Sequence, residues 1–206
     1  MQLSENFVLE EFLRSQTAEC TGGAMLDRQM NPERVIVENL QHLVTRALQP
    51  LRTLLRTPFQ ITSGYRCDEL NSRIGGSSNS RHRFGQAADV ILSDHFVNDT
   101  DPSIQRIRRI IDNKILKKIE RLPRDDVNAN FYLFATVCFY LTETDVDQVI
   151  HEYGEPGRPA WVHIASSRER NKRDIVIIPK APAMENNRLS LEEALLVGCD
   201  WSQTRS

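Results

Sequence analysis

The stretch Ser-Arg-His-Arg-Phe-Gly-Gln-Ala-Ala-Asp-Val-Ile-Leu, residues 80–92, places an imidazole and a carboxylate seven residues apart around a glycine. If the intervening chain were fully extended, His82 and Asp89 would lie roughly 23 Å apart, so both bind one ion only if the chain reverses between them. Gly85 permits that reversal, because glycine accepts backbone angles that a residue with a Cβ resists. The stretch therefore predicts two ligands of a metal site on either side of a turn.

The second half of this stretch, from Ala87 onward, has the composition of a short strand. Successive side chains of a strand point to opposite faces, so Asp89 and Ile91 share one face. The other face is apolar and carries Ala88, Val90 and Leu92. Aspartate is disfavoured in strands and costly to bury unpaired, so Asp89 requires a partner.

A third ligand is available at His163, in the strand-like run Ala-Trp-Val-His-Ile-Ala of residues 160–165. Two imidazoles and one carboxylate suit zinc, and catalytic zinc typically takes three protein ligands and leaves a fourth position for water. A structural cysteine cluster finds no support, because none of the four cysteines lies within four residues of another. Taken one at a time, the histidines also fit ordinary core or surface positions, and the motif around them favours the joint site.

The pattern Ser-x-His-x-x-Gly-x-Ala-x-Asp of residues 80–89 resembles the signature of a known family. It is that of the zinc D-alanyl-D-alanine carboxypeptidases and their relatives, which include phage cell-wall peptidases and share a fold with the hedgehog signalling domain. The likeness to one bacterial and phage subgroup is tight over residues 5–92 and looser over 145–171. Within the first range it rests on residues 7–18, 39–40, 48–52, 61–66 and 70–76.

This resemblance implies a single α+β domain with a central antiparallel sheet and flanking helices. It implies one Zn²⁺ bound through His82, Asp89 and His163. The implied substrate is the stem peptide of peptidoglycan, cut either at the terminal D-Ala-D-Ala bond or internally. Zinc in such a site polarises the scissile carbonyl and lowers the pKa of the attacking water.

Two further residues, Arg66 and Ser80, match family positions, Tyr65 is an additional candidate, and each of the three has a second interpretation. Arg66, at the end of Thr-Ser-Gly-Tyr-Arg, presents a fork of donors to a substrate carboxylate or to the developing oxyanion. Its alternative is an ion pair with Asp68 or Glu69. Ser80 donates its hydroxyl to substrate or caps the turn. Tyr65 lines the pocket or is a buried tyrosine with a satisfied hydroxyl.

The choice of a catalytic base depends on the hairpin that Gly-Glu-Pro-Gly-Arg-Pro, residues 154–159, predicts between two strand-like runs. With Ile150 opposite His163, Glu152 lies on the metal face and His151 points away. A shift of one residue exchanges the two. We favour Glu152, because a zinc peptidase needs a carboxylate that takes a proton from water and passes it to the leaving amine.

The chain departs from the better-known carboxypeptidases at Ala160, where many relatives carry an acidic residue three positions before the second histidine. In the subgroup that the chain most resembles, an acidic residue in the preceding strand takes the place of Glu152. Asp147 and Glu155 are further candidates for the base, and Glu152 also fits an ordinary edge-strand carboxylate. The departure leaves open a zinc-binding structural or wall-binding module without catalysis, or a component of a phage particle.

Composition indicates a compact soluble protein, since 40% of the 206 residues are hydrophobic, 26% are charged, and the net charge is −2. This balance predicts no nucleic-acid partner. No apolar run is long enough to span a bilayer, and the N-terminus lacks a secretory signal. The expected location is therefore the cytoplasm or a phage, with action on the cell wall after release. The sequence leaves the oligomeric state open.

Hydrophobic periodicity predicts helices over residues 7–15, 32–55, 103–121 and 189–196. Pro50 should kink or break the second of these near residue 49. Strands are predicted over residues 58–63, 130–142 and 148–153. The zinc peptidase domain is expected over residues 1–171, and residues 172–206 form a C-terminal extension docked on it.

Overall fold

The computed structural model describes residues 1–141, 143–169, 172–178 and 187–199. Its helices are α1 (Leu9–Leu13), α2 (Gln16–Thr21), α3 (Gly23–Met30), α4 (Arg34–Leu43), α5 (Gln49–Leu55), α6 (Asp68–Arg73), α7 (His95–Asn98), α8 (Pro102–Ile119), α9 (Ala129–Phe139) and α10 (Leu191–Leu196). A π-helical turn, Val44–Leu48, joins α4 to α5, and a 3-10 turn, Arg81–Phe84, precedes the second strand. The strands are β1 (Phe59–Ser63), β2 (Ala87–Leu92), β3 (Gln148–Glu155), β4 (Arg158–Ala165), β5 (Asp174–Ile178) and β6 (Asn187–Arg188).

The strands form one sheet in the order β1-β2-β4-β3-β5-β6. The first four pair antiparallel, and β5 lies parallel to β3. The parallel pair arises because β4 ends at Ala165 opposite Gln148, and after crossing this end of the sheet the chain begins β5 beside the same Gln148. The predicted α+β domain with flanking helices is confirmed, and its sheet is mixed rather than wholly antiparallel.

The helix predicted over residues 32–55 is interrupted one turn before Pro50. Proline has no N–H to donate to the carbonyl of Arg46, so the regular hydrogen-bond ladder cannot pass this point, and the turn before it widens into the π form. The predicted break is thereby confirmed. The π turn remains in the core, with Val44, Ala47 and Leu48 fully buried.

The strand predicted over residues 130–142 is wrong, because residues 129–139 form helix α9. Nearly all residues of this run are apolar, and all but the last are buried, so hydrophobic residues do not recur with a period that would distinguish a helix from a strand. Asn128 caps the helix by accepting a hydrogen bond from the Phe131 N–H. Asn130 is buried and bonds the backbone of both β2 and β4, which fixes the helix to the sheet. Residue 142 lies outside the described residues.

Alternation along the strands gives the sheet two different faces. One face packs on α9, and α8 and α10 pack on α9 in turn. On this face His151 meets Phe134, with ring centroids 5.5 Å apart. The opposite face carries Asp89, His163 and Glu152, so the candidate site lies on the sheet side that α9 does not cover.

The C-terminal part of the chain contributes to the fold in two places. Residues 174–178 enter the sheet as β5, and the helix predicted near residues 189–196 is present as α10. Parts of the predicted extension, residues 179–186 and 200–206, lie outside the described residues, as do residues 170 and 171. A division of the chain at residue 171 stays a prediction.

None of the described helices has the length and apolar character needed to cross a membrane.

His151 makes stability depend on pH. Both of its ring nitrogens are buried without a hydrogen-bond partner among the described residues, and burial lowers its pKa from 6.5 to about 4. As the pH falls, His151 therefore becomes protonated near pH 6.5 in the unfolded chain but only near pH 4 in the folded protein. We expect the free energy of unfolding to fall by about 3 kcal/mol between these values on account of this group.

Urea titrations from pH 7 to pH 4 test this expectation, with His151→Phe as the matched variant because phenylalanine preserves the ring contact with Phe134. Wild type should lose stability faster than the variant as the pH falls. Parallel curves for the two proteins would show that His151 is not the group responsible.

Candidate metal centre and cleft

The candidate metal centre is assembled from two paired strands and the turn before them. Asp89 on β2 lies directly opposite His163 on β4. His82 lies in the 3-10 turn that ends at Gly85. Gly85 adopts a left-handed conformation with φ of 65°, and a Cβ there would lie only 2.7 Å from the Ile36 carbonyl oxygen. The predicted chain reversal is therefore present, and it depends on glycine for both backbone angle and space.

Three ligand atoms converge at this point. His82 Nε2 lies 3.1 Å from Asp89 Oδ1 and 3.1 Å from His163 Nδ1, and His163 Nδ1 lies 2.9 Å from Asp89 Oδ1. All three side chains are buried. Ligands held at zinc–nitrogen and zinc–oxygen distances in a tetrahedral site stand roughly 3.3 Å apart, so the three atoms are close to the spacing that zinc requires.

The protonation of His82 supports a cation here. Its Nδ1 lies 2.6 Å from the Gly64 carbonyl oxygen, which only accepts, so Nδ1 carries the proton and Nε2 presents a bare lone pair. That lone pair faces a carboxylate oxygen and the Nδ1 of His163. Burial lowers the pKa of His82, which favours the neutral ring that a metal needs. The donor set fits a divalent ion such as zinc.

Asp89 is the negative charge around which the centre is organised. Burial acts to raise its pKa, but its interactions with the neighbouring His82 and His163 outweigh burial and hold the pKa well below its usual range. Its second oxygen, Oδ2, accepts from Arg66 Nη2 at 2.6 Å. Asp89 therefore stays ionised, with one oxygen directed at the two histidines and the other held by Arg66.

Arg66 does not form the ion pair that the sequence offered as its alternative. Its Nη2 binds Asp89, and its Nε donates to Ser63 Oγ at 2.8 Å. Asp68 and Glu69 pair instead with other arginines. Arg66 therefore binds the second oxygen of the candidate ligand Asp89, and only its Nη1 is without a partner among the described residues.

Residues 5–118, just over half of the chain, match the sequence model of the Peptidase M15 family. The chain belongs to the peptidase M15 family. This confirms the resemblance to the zinc D-alanyl-D-alanine carboxypeptidases at the level of the family, together with the expected fold. Among curated proteins, none matches the chain significantly.

The M15 match covers only part of the candidate centre. His82, Asp89 and Arg66 fall within the matched range, whereas His163 and Glu152 lie beyond its end at residue 118. The tertiary structure connects the two parts, because β2 from the matched region pairs with β4 from the rest of the chain.

A cavity of about 790 Å³ opens over the candidate centre of this M15 peptidase. Glu152 lines it together with His82, Asp89 and His163. The hairpin has the register in which Ile150 lies opposite His163, so the alternative register, with His151 on the metal face, is wrong.

Glu152 is held in a partly desolvated position beside the centre. It lies opposite Trp161 in the hairpin, and the Trp161 Nε1–H donates to Glu152 Oε2. Burial raises the pKa of Glu152, and the negative charge of Asp89 raises it further. A carboxylate with a raised pKa in an active-site cleft suits proton transfer near neutral pH.

The other predicted residues occupy different positions. Ser80 lines the cavity, and its side chain does not cap the 3-10 turn, so that alternative is wrong. Tyr65 is half-buried and lines an adjoining cavity, and burial raises its pKa to about 12. Asp147 is committed to an ion pair with Arg81 at 2.6 Å. Glu155 is exposed at the hairpin end and is not among the residues lining the cleft.

Sequence reasoning missed two groups that support the site. The Gly64 carbonyl fixes the protonation of His82, and Trp161 supplies the hydrogen bond to Glu152. Trp161 had a signal in the sequence, because it stands two residues before His163 in a strand and therefore shares its face. The carbonyl had none, since every residue carries one.

Removal of any one ligand should abolish stoichiometric zinc binding. For His82→Ala, Asp89→Asn and His163→Ala we expect the zinc content to fall from about one ion per chain toward zero, because a site with two remaining donors holds zinc weakly. Elemental analysis after dialysis against buffered zinc measures the content, and circular dichroism checks the fold. His95→Ala is the control, since His95 is exposed on α7. Equal zinc content in all four variants would contradict the assignment.

Proposed function

We propose that this M15 family member is a zinc-dependent hydrolase of peptidoglycan stem peptides that contain D-amino acids, in which Glu152 is the catalytic base. The single observation that carries the proposal is the convergence of His82, Asp89 and His163 in one cleft with Glu152. Three donors without a fourth protein ligand leave room for water and substrate, which is typical of catalytic zinc rather than structural zinc. The family supports peptide-bond hydrolysis as the reaction.

Zinc, when bound by these three residues, polarises the scissile carbonyl and activates the attacking water. Glu152 accepts the proton of that water and returns it to the leaving amine. Two features of Glu152 support this role. Because its pKa is raised toward neutral pH, Glu152 can act first as a base and then as an acid. The hydrogen bond from Trp161 to Oε2 fixes the orientation of the carboxylate and leaves Oε1 for proton transfer.

Arg66 contributes to catalysis in two ways, by orienting Asp89 and by its own positive charge. Its bond to Asp89 Oδ2 orients the carboxylate so that Oδ1 points at the two histidines. Arg66 also lines the cleft, where its positive charge would stabilise the oxyanion developing on the scissile carbonyl. Ser80 and Tyr65 serve as substrate contacts on the cleft walls.

The alternative function is a zinc-binding wall module without catalysis, and the observation in its favour is Ala160. This position on β4 carries no acid, and its residue is exposed. The cleft nevertheless contains a carboxylate on the neighbouring strand, and its lining is rich in charged groups rather than apolar. The presence of Glu152 beside the donor set favours the enzyme.

Substitution of the base separates chemistry from metal binding. For Glu152→Gln we expect zinc content to stay unchanged and turnover of a stem-peptide substrate to fall by about 10²–10⁴-fold, because the amide cannot accept the proton. Mass spectrometry of muropeptide digests measures the products. The matched control is Glu155→Gln, three residues further along the same strand and exposed, which should retain wild-type turnover.

Two outcomes would contradict the proposal. Full turnover by Glu152→Gln would remove this residue from the mechanism. A zinc-loaded wild-type protein that yields no hydrolysis product from any stem peptide would favour the binding module instead.

A further inference from the structure

His82 is held in the candidate centre differently from the other two ligands. Asp89 and His163 lie opposite each other in the ladder between β2 and β4, so strand pairing sets the distance between them. His82 lies outside the strands, in the four-residue 3-10 turn, where hydrogen-bond geometry is poorer than in an α-helix. Its position relative to the sheet therefore depends on the contacts that this turn makes with other elements.

One side of the turn is attached to the residues that follow β1. His82 Nδ1 lies 2.6 Å from the Gly64 carbonyl oxygen, and the Arg66 N–H donates to the His82 carbonyl oxygen at 3.2 Å. The first contact holds the ring and the second holds the backbone. Together they fix His82 from the β1 side of the sheet.

The other side of the turn is attached to the residue that precedes β3. Arg81, which is next to His82 in the chain, forms an ion pair with Asp147, with Nη2 2.6 Å from Oδ2. The Asp147 side chain is 2% exposed and that of Arg81 is 27% exposed, so the pair is screened less than one on the surface. Arg81 Nη1 also donates to Gln86 Oε1 at 2.9 Å, beyond the other end of the turn. Arg81 thus joins both ends of the turn to Asp147.

Asp147 is itself fixed on several sides. Its backbone N–H donates to the Ala165 carbonyl oxygen at 2.7 Å, at the end of β4. Its own carbonyl oxygen accepts from the Asp174 N–H at 2.9 Å, at the start of β5, and its Oδ1 accepts from the Lys172 N–H. A carboxylate held in this way gives Arg81 an anchor of fixed position.

From these contacts we propose that the Arg81–Asp147 pair positions His82 and thereby raises the affinity of the centre for a divalent metal such as zinc. In the sheet, β1 and β3 flank the β2–β4 pair that carries the other two ligands. The turn is attached on both flanks, which sets the distance from the His82 ring to the sheet. Asp147 acts here as a positioning residue. The inference rests on the metal-binding part of the proposed function and not on its substrate.

A pair that contributes only to stability is the alternative interpretation. Burial of two charges has a desolvation cost that their attraction barely offsets, so replacement of such a pair by apolar groups often leaves stability unchanged. Fixing one arrangement of the chain is the better-attested role of buried pairs. Residues that orient a metal ligand change metal affinity by about 10–100-fold when substituted. The two interpretations therefore predict different metal affinities for the folded variants.

Zinc affinity of the full chain tests the proposal through Arg81→Met, Asp147→Asn and the double variant. Methionine keeps much of the apolar stem of Arg81 without its donors, and asparagine keeps the shape of Asp147 without its charge. Competition with a chromophoric chelator should give each variant a zinc Kd about tenfold or more above that of wild type. The double variant should bind no more weakly than the weaker of the two single variants, because both substitutions remove the same contact.

Two further measurements separate the geometry of the centre from the stability of the fold. The visible absorption of bound Co²⁺ depends on coordination geometry, so its bands should shift in the variants. Urea titration of the zinc-free proteins reports stability on its own. The double variant leaves no unpaired buried charge, so it tests the contact even where a single variant fails to fold.

Glu69→Gln is the matched control. Arg28 Nη2 and Glu69 Oε1 also lie 2.6 Å apart, but both side chains are about half exposed and neither belongs to the turn that carries His82. The zinc Kd and the Co²⁺ spectrum of this variant should equal those of wild type.

Each outcome bears on the inference and on the proposed function separately. An unchanged zinc Kd in the folded variants, with a loss of stability in urea alone, overturns the inference. A double variant whose loss of affinity equals the product of the two single losses also overturns it, because the residues then act independently. A wild-type chain that binds no zinc overturns the inference and the metal centre together. Weakened zinc binding as expected, with no hydrolysis by the zinc-loaded wild type, supports the inference and contradicts only the proposed reaction.

Discussion

The buried charge of Asp89 is the constraint on which the rest of the site depends. A buried carboxylate in a central strand is strongly destabilising unless both of its oxygens have compensating partners. Here Oδ1 faces His82 and His163, and Oδ2 receives Arg66. The arrangement brings a ring nitrogen of each histidine and a carboxylate oxygen to one point, and a divalent cation there would bind all three.

The sheet makes this concentration of charge compatible with a stable core. Since side chains alternate along each strand, one face of β2, β3 and β4 packs on α9 while the other carries the polar site. The contrast is clearest at two consecutive residues: His151 is buried against Phe134, whereas Glu152 lines the cleft. The same backbone thus supplies the hydrophobic contacts that stabilise the domain and the rigid support that orients the ligands.

Support from outside the ligand set gives the centre its specific geometry. The Gly64 carbonyl selects the protonation state of His82. Arg66, which also donates to Ser63, holds Asp89, and Trp161 holds Glu152. Tyr153 packs on Trp161 with ring centroids 5.0 Å apart and has a left-handed backbone with φ of 53°. Such strained positions persist where the surrounding structure fixes them, and they are concentrated at functional sites.

Much of the fold and of the candidate site could be predicted from the sequence where a pattern has one physical meaning. The interruption before Pro50 follows from a missing N–H, and the reversal at Gly85 follows from a backbone angle that other residues resist. Alternation placed Asp89 and Glu152 on the correct faces once the hairpin register was assumed. Helix α9 was predicted as a strand because its residues are apolar on all sides, so no hydrophobic periodicity distinguishes the two structures.

The sequence by itself determined the candidate ligand types, the turn between His82 and Asp89, and the strand that carries Asp89, because each depends on neighbours within a few residues. Only the tertiary structure decided that His163, 74 residues after Asp89, lies opposite it, since strand pairing is set by long-range packing. It also decided that Arg66 is directed at Asp89 and that Glu152 lines the cleft over the centre. Those features join side chains from separate parts of the chain, and no local pattern encodes their distances.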